Sequence, residues 1–530
     1  MWLLYFVNGF QSSILSNLTP YVTSEWEEHS LLTVISIISS CMSAATYIPM
    51  AKILDLWGRA EGFALMIAFA TLGLVLMACA NTLAIFCAAQ VFYSIGFAGV
   101  IYSIDVITSD ASHLRNRGLA FAFTSSPYII IAFAGPKASE GFYENIGWRW
   151  GFGAFSIILP CVALPMFIVL RLNLRKAEKS GRVLKRETQR TMLQSIWHYT
   201  KELDGTFPSQ KFTTRANYFK ALGCLLFVAG LVVFLLPFSL ADSAPRAWST
   251  PYIIAMIVLG FVLLVLFGVW EGFLAPHPFL TANLLLNRTV AGACLLSFNY
   301  QIAYYCWASY FSSFLQVVND LSISEAGYVT STFDVVSGVL LLGVGWLIRR
   351  FGYFKWLLWI GVPLYIFAQG LMIYFRRPDA HIGYLVMCQI FISVGGSVMI
   401  ICQQLAVLAA ADHQHVAAVL ALLNVIGTIG GAVGNTISGA IWTNTFSGAL
   451  VRYLPDDAQA SLEDIYGSLD VQLSYEWGSP ERIGIQQAYA YSQQRMLIAG
   501  TAIMSLSLVW VFMIRNINVK NIEQVKGVLF

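Results

Sequence analysis

The stretch Asp55-Leu56-Trp57-Gly58-Arg59 lies in a short polar break between two long apolar runs of the sequence. A second break, at residues 349–352, repeats the glycine beside basic residues in the other half of the chain. Each break follows one apolar run of roughly 20 residues and precedes another, which is the length that crosses a bilayer. This internal repeat predicts a membrane transporter built from two related halves.

The composition of the chain excludes an ordinary soluble globule. Of its 530 residues, 58% are hydrophobic and only 11% are charged, which is typical of a polytopic membrane protein. Most of the 31 Lys and Arg residues fall in loops on one predicted side of the membrane. Because cationic loops stay in the cytoplasm, we expect both termini to be cytoplasmic.

The apolar runs predict an all-α protein with fourteen transmembrane helices arranged as six, two and six. The predicted parts are an N-terminal bundle at 1–171, a basic cytoplasmic linker at 172–218, an inserted helix pair at 219–273, a C-terminal bundle at 290–515 and a cytoplasmic tail at 516–530. Within the C-terminal bundle, a large extracellular loop is predicted at 444–493.

The two polar breaks are candidate gating loops. Gly58 and Gly352 suit tight turns because glycine tolerates positive φ. Asp55 and Arg59 form an acid–base pair that could latch the helix bundles together in one conformation. Aligning the two glycines places Arg349 opposite Asp55, so the second half loses the acid.

Two aspartates fall within predicted spans, Asp105 and Asp334. A buried aspartate costs about 3 kcal/mol at mid-membrane, so each should face a wet cavity or a partner. Both are candidate proton carriers, because burial favours the neutral form of a carboxyl group. The alternative is that each lies close to a helix end, near the membrane boundary.

An aromatic stripe is predicted along the ninth span. Tyr300, Tyr304, Trp307 and Phe311 recur at helical spacing, with Asn299 beside them. Such a face could line a cavity for a large amphipathic ligand, although ordinary helix packing explains the stripe equally well.

No catalytic or metal-binding pattern is present in the sequence. The nine cysteines all fall in apolar runs, the histidines lack metal-ligand spacing, and neither a phosphate-binding loop nor a nucleophile elbow occurs. We therefore expect no enzyme activity, no cofactor and no nucleic-acid partner, and transport would be driven by an ion gradient.

The break at 55–59 closely resembles the characteristic loop of the major facilitator superfamily. Five segments, at 17–24, 51–59, 121–128, 145–153 and 440–444, together resemble the siderophore-iron transporters of fungi. The resemblance implies fourteen spans, a monomer in the plasma membrane or an endosomal or vacuolar membrane, and proton-coupled uptake of a ferric siderophore. It also links the loop at 444–493, with Tyr466 and Tyr475, to substrate capture.

Several positions depart from the family pattern. Some relatives have an acid in the first helix where this chain has Asn8, so coupling here would use another group such as Asp105 or Glu140. Relatives also have a longer cytoplasmic N-terminus, and we expect a tail to be missing before Met1. Two alternatives stay open, a proton-coupled exporter of a small thiol peptide or drug and a non-transporting nutrient sensor. Because Lys137 and Glu140 follow Gly135-Pro136, the match to the drug-antiporter motif is only partial, which weakens export.

Overall fold

The computed structural model describes residues 1–26, 29, 32–56, 58–112, 114–179, 220–241, 247–274, 286–410 and 416–520. Within these residues the elements are helices, apart from one bridge between Tyr353 and Asn518. Trp57, most of the predicted linker at 172–218 and residues 521–530 of the predicted tail lie outside the described residues.

The first half is a bundle of seven helical segments. They are α1 (Trp2–Glu25), α2 (Leu32–Leu56), α3 (Arg59–Ala78), α4 (Leu83–Ala111), α5 (Leu114–Ser125), α6 (Tyr128–Gly141) and α7 (Trp148–Lys179). The segments α5 and α6 are separated at Pro127, whose ring nitrogen cannot donate a backbone hydrogen bond. Close packing holds α3 against α4, because a Cβ added to Gly96 would lie 2.1 Å from the backbone nitrogen of Ala70.

A pair of apolar segments follows the first half. It consists of α8 (Lys220–Leu235), the single turn α9 (Pro237–Leu240) and α10 (Pro251–Val269). Leu231 and Leu235 of α8 pack against Ile37 of α2 and Ala432 of the second half. The pair therefore lies outside the seam between the halves.

The second half contains α11 (Arg288–Ala308), α12 (Phe311–Asn319), α13 (Ile323–Thr330), α14 (Thr332–Phe351), α15 (Lys355–Phe375), α16 (Ile382–Ala410), α17 (Val416–Tyr453), α18 (Leu462–Gly467), α19 (Leu469–Ser474), α20 (Pro480–Ser505) and α21 (Ser507–Met513). The two halves meet where α2 contacts α17 and where α5 and α6 contact α14, and the region between these two contacts is here called the central seam. Ten helices of the described residues are long and apolar enough to cross a membrane.

Helices extend into both ends of the predicted extracellular loop at 444–493. Helix α17 continues to Tyr453 and α20 begins at Pro480, so the connection between them is 454–479. The helix continues because Phe446, Ala449 and Leu450 are buried. The sequence does not show this burial, because polar residues lie among them. The connection itself is partly helical, through α18 and α19.

Two ends of the bundle can be told apart by their contacts. At one end, here called the terminal face, the backbone N–H of Val519 donates to the carbonyl oxygen of Gly352 at 2.9 Å, and Met1 contacts Thr108. At the other end, the opposite face, α19 packs against the end of α1.

Candidate transport site

The first candidate gating loop lies on the terminal face. Gly58 has a φ of 111°, a conformation that favours glycine, as the sequence predicts. The guanidinium of Arg59 pairs with the carboxylate of Asp110 at 3.2 Å, which joins the start of α3 to the end of α4. This pair lies within the first half. The side chain of Asp55 lies outside the described residues, so the predicted pairing of Asp55 with Arg59 stays a prediction.

The second candidate loop is braced by the end of the chain. Gly352 has a φ of 83°, and Arg349 is exposed on the last turn of α14. The ammonium of Lys520 donates to the carbonyl oxygen of Arg350 at 2.6 Å. This bond satisfies one of the carbonyls that the end of a helix leaves without a partner.

The two predicted intramembrane acids face the seam from opposite halves. Asp105 lies on α4, is 9% exposed and accepts a hydrogen bond from the hydroxyl of Tyr5 at 3.3 Å. Asp334 is half-buried on the first turn of α14. Tyr128, at the start of α6, is close enough to interact electrostatically with both carboxylates.

The sequence analysis missed the two tyrosines that connect these acids. The rings of Tyr5 and Tyr128 meet edge to face, with centroids 6.1 Å apart. Tyr128 ends one of the segments that carry the family resemblance, and Tyr5 lies one turn before Asn8, the position at which some relatives have an acid. Those two positions are the signals that could have identified them. Tyr5 and Tyr128 therefore lie in contact with each other near the two acids.

The predicted aromatic stripe is continuous, but a break divides its helix. Centroid distances are 6.5 Å from Tyr300 to Tyr304, 5.3 Å from Tyr304 to Trp307 and 5.8 Å from Trp307 to Phe311. Helix α11 ends at Ala308, and Tyr310 takes a positive φ of 56° before α12 begins. The stripe therefore bends between Trp307 and Phe311.

One residue of the stripe is less buried than the others. Tyr304 is half-buried and lies close enough to Asp334 to interact with it electrostatically. Tyr300, Trp307 and Phe311 are at most 5% exposed and form part of the packed core. Asn299 points elsewhere, since its amide donates to the carbonyl oxygen of Ile503 on α20 at 3.4 Å.

A buried arginine that the sequence analysis missed stabilises the break. Arg376 is fully buried at the end of α15 and donates to the carbonyl oxygen of Trp307 at 2.9 Å and to the amide oxygen of Gln493 at 2.7 Å. Its guanidinium lies 4.3 Å from the ring centroid of Phe311. Because the interrupted helix leaves the Trp307 carbonyl without its usual partner, Arg376 supplies the missing donor.

Glu140 joins the halves at the opposite face. Its carboxylate accepts a hydrogen bond from the hydroxyl of Ser324, on α13, at 3.0 Å. It also pairs with the ammonium of Lys137 one turn earlier on α6. A partnered carboxylate of this kind is suited to holding the two halves together.

The connection at 454–479 also contacts the first half. The backbone N–H of Leu469 donates to the hydroxyl of Ser24 at 3.1 Å, and the hydroxyl of Tyr143 donates to the carboxylate of Asp470 at 3.3 Å. Partial burial raises the pKa of Asp470 above its ordinary value. Tyr466 stacks on Phe446 of α17 with centroids 6.1 Å apart.

Tyr475 is half-buried and packs on the main core from the same connection. The predicted site residues thus fall into three places, the two loops of the terminal face, the central seam and the opposite face. Among the described residues, no group of three or more His, Cys, Asp or Glu side chains could hold a metal ion.

The family model of the Major Facilitator Superfamily matches residues 1–313 and 293–451. The chain belongs to this superfamily. A bacterial homolog of the human lysosomal transporter Spinster, in an inward-facing and unoccupied conformation, has the same fold, with a TM-score of 0.57, 15% identity and coverage of 96% of this chain and 94% of that one.

Within the superfamily, the chain is similar along its whole length to fungal siderophore iron transporters. The siderophore iron transporter mirB of Emericella nidulans is 57% identical, over 100% of this chain and 85% of the relative. The MFS siderochrome iron transporter D of Aspergillus fumigatus is 59% identical, over 100% of this chain and 86% of the relative. The chain belongs to the family of these multi-pass membrane proteins, which are transporters and not enzymes.

Proposed function

We propose that the protein imports a ferric siderophore by proton symport through alternating access, as a monomer in the plasma membrane or in an endosomal or vacuolar membrane. The observation that carries this proposal is the similarity to siderophore iron transporters over the whole chain. The central seam supports it, because it combines aromatic surface with two carboxylates that belong to different halves.

We further propose that the chain crosses the membrane fourteen times, in the order six, two and six. Besides the ten long apolar helices, α1, α2, α8 and α11 are apolar segments in positions that complete this order. The N-terminal bundle at 1–171 and the C-terminal bundle at 290–515 would then move relative to each other. The pair at 219–273 would remain outside the seam, consistent with its packing on α2 and α17.

Asp105 and Asp334 are the preferred proton carriers. Each lies in a helix that faces the other half, and protonation would remove the cost of burying its charge. Glu140 is the third candidate, and its pairing with Lys137 and Ser324 favours a role in closing the opposite face. The protonation state of the central acids would then bias which end of the seam opens.

The substrate would contact the aromatic stripe at Tyr304 and its neighbour Tyr300. Tyr300 and Tyr304 offer flat rings and hydroxyl groups at the point where Asp334 approaches. Trp307 and Phe311 would support this surface from the core, and Asn299 would support it through its bond to α20. Tyr466 and Tyr475, in the connection at 454–479, would make the first contacts from outside.

Contacts between the halves occur at both ends of the seam. Towards the terminal face, a Cβ added to Gly345 would lie 3.2 Å from the backbone of Gly118. At the opposite face, Ser324 bonds to Glu140. Alternating access requires each set of contacts to break in turn, and the loops at Asp55–Arg59 and Arg349–Gly352 would control the cytoplasmic end.

The test measures uptake of radioactive-iron siderophore into proteoliposomes with and without an imposed pH gradient. We expect accumulation only when the outside is acidic relative to the lumen. Uptake of equal extent without a gradient would refute proton coupling, and no uptake of any ferric siderophore would refute the assigned substrate. Asp379→Asn, at an exposed acid between α15 and α16, serves as the control variant and should transport normally.

A further inference from the structure

A cavity of about 370 Å³ opens between α17 and α20 towards the opposite face. Its polar lining comes from Asn444, Thr445, Arg452, Tyr453, Tyr491 and Arg495. This volume is within the range of small-ligand sites, roughly 300–1,000 Å³. The cavity is separate from the central seam, because none of the residues assigned to transport lines it.

The cavity carries two arginines without an acidic partner in the described part of the chain. Arg452 and Arg495 are both exposed. The guanidinium of Arg495 lies 4.1 Å from the ring centroid of Tyr491, and that of Arg452 lies 5.5 Å from the ring centroid of Tyr453. Two cations beside one cavity create a positive potential that attracts an anion.

A second pocket near the same face shows a different arrangement. Arg149, which helps to line it, lies 3.7 Å from the carboxylate of Glu25 and also donates to the carbonyl oxygen of Ala80 at 3.3 Å. Its charge is already compensated by the protein. Arg452 and Arg495 therefore differ from Arg149, because no carboxylate of the described residues pairs with them.

The position of Arg495 along the helix matches a membrane boundary. Arg495 lies 18 residues before Met513, where α21 ends, which corresponds to about 27 Å of helix, close to the thickness of a hydrocarbon core. Between them, Ile498, Val509 and Phe512 are 53%, 55% and 61% exposed, as expected for a surface that contacts acyl chains. Tyrosines and arginines at such a boundary lie at the depth of lipid headgroups.

We propose that this cavity binds the phosphate group of an outer-leaflet phospholipid. The two guanidinium groups would hold the phosphate, whose geometry their planar donor arrays match. The acyl chains would lie along Ile498 and the apolar residues that follow it. A lipid bound here would join α17 to α20, the two helices that the connection at 454–479 links.

The test uses the full-length protein purified in detergent, with the melting temperature measured as lipid is added. The probes are phosphatidylinositol, diacylglycerol with the same acyl chains and inorganic phosphate. We expect phosphatidylinositol alone to raise the melting temperature. In the double variant Arg452→Gln/Arg495→Gln its apparent affinity should fall about tenfold or more, since each basic residue near a membrane surface contributes about 1 kcal/mol.

The matched control is Arg377→Gln, because Arg377 is an exposed arginine whose guanidinium lies 4.2 Å from the ring centroid of Tyr374, outside the cavity. It should keep the full response. The single variant Arg452→Gln covers the case in which the double variant does not fold. An equal effect of diacylglycerol, an equal effect of inorganic phosphate, or a full response in the Arg452 variants would each overturn the proposal.

Discussion

Replacing Arg482 with glutamine should release the connection at 454–479 from the transport bundle. Arg482 is 1% exposed near the start of α20 and donates to three backbone carbonyl oxygens. The acceptors are Val317 at 3.0 Å, Gln472 at 2.6 Å and Gln316 at 3.2 Å. Two of these carbonyls belong to the end of α12 and the third to α19, so one side chain caps two helices.

The magnitude follows from the one bond that reaches the connection, the bond to Gln472. Hydrogen bonds from a charged donor contribute about 1.5 kcal/mol or more each, so about 1.5 kcal/mol is lost from the docking of the connection. That loss corresponds to an increase of roughly tenfold in the population with the connection detached. Arg482→Gln should therefore be cleaved about tenfold faster by a glutamate-specific protease, which has Glu463 and Glu476 as sites in this connection.

The assay compares proteolysis of purified protein with uptake by the same variant. Arg377→Gln is the control, since it removes an exposed arginine of the opposite face without touching the connection. Equal cleavage rates in the two variants would refute the role of Arg482 in holding the connection. A higher KM for siderophore uptake by Arg482→Gln, with a monodisperse elution profile, would additionally link this role to substrate capture.

Three further predictions concern the seam, the helix packing and the connection. Asp105→Asn should abolish gradient-driven accumulation while keeping the hydrogen bond from Tyr5, and full accumulation would remove Asp105 as the proton carrier. Gly96→Ala should destabilise the protein by about 1–3 kcal/mol, whereas Gly370→Ala, with nothing within 4 Å of an added Cβ, should be neutral or stabilising in thermal unfolding. Because burial raises the pKa of Asp470 when the connection is docked, docking should strengthen as pH falls through that raised pKa towards about 4. The proteolysis rate of the wild type, divided by that of Asp470→Asn, should therefore fall as the pH falls. A ratio that does not change with pH would contradict this.

The sequence was informative wherever one local pattern is sufficient. Apolar runs gave the membrane class, and the five motif segments gave the family, because burial in lipid requires long uninterrupted helices. The tight turn at Gly58 is confirmed by its positive φ, and Gly352, the glycine aligned with it, also has a positive φ, since this conformation depends on the residue itself. Asp105 and Asp334 stood out because charges within spans are rare.

Other features depend on contacts between residues far apart in the chain. Arg59 pairs with Asp110, Arg376 donates to the carbonyl freed at Trp307, and Tyr128 interacts with acids of opposite halves. Periodicity cannot reveal such partners, because it reports only which face of a helix is apolar.

The bounds of the connection at 454–479 also depend on contacts between residues far apart in the chain. Polar residues at 444–453 resemble a loop, yet burial of Phe446 and Leu450 against neighbouring helices extends α17 to Tyr453. The sequence by itself determined that this chain is a two-halved membrane transporter of a known family. Only the tertiary structure decided which side chains meet across the central seam and in the connection at 454–479. The free energies of these contacts arise from long-range packing and hydrogen bonds rather than from local propensity.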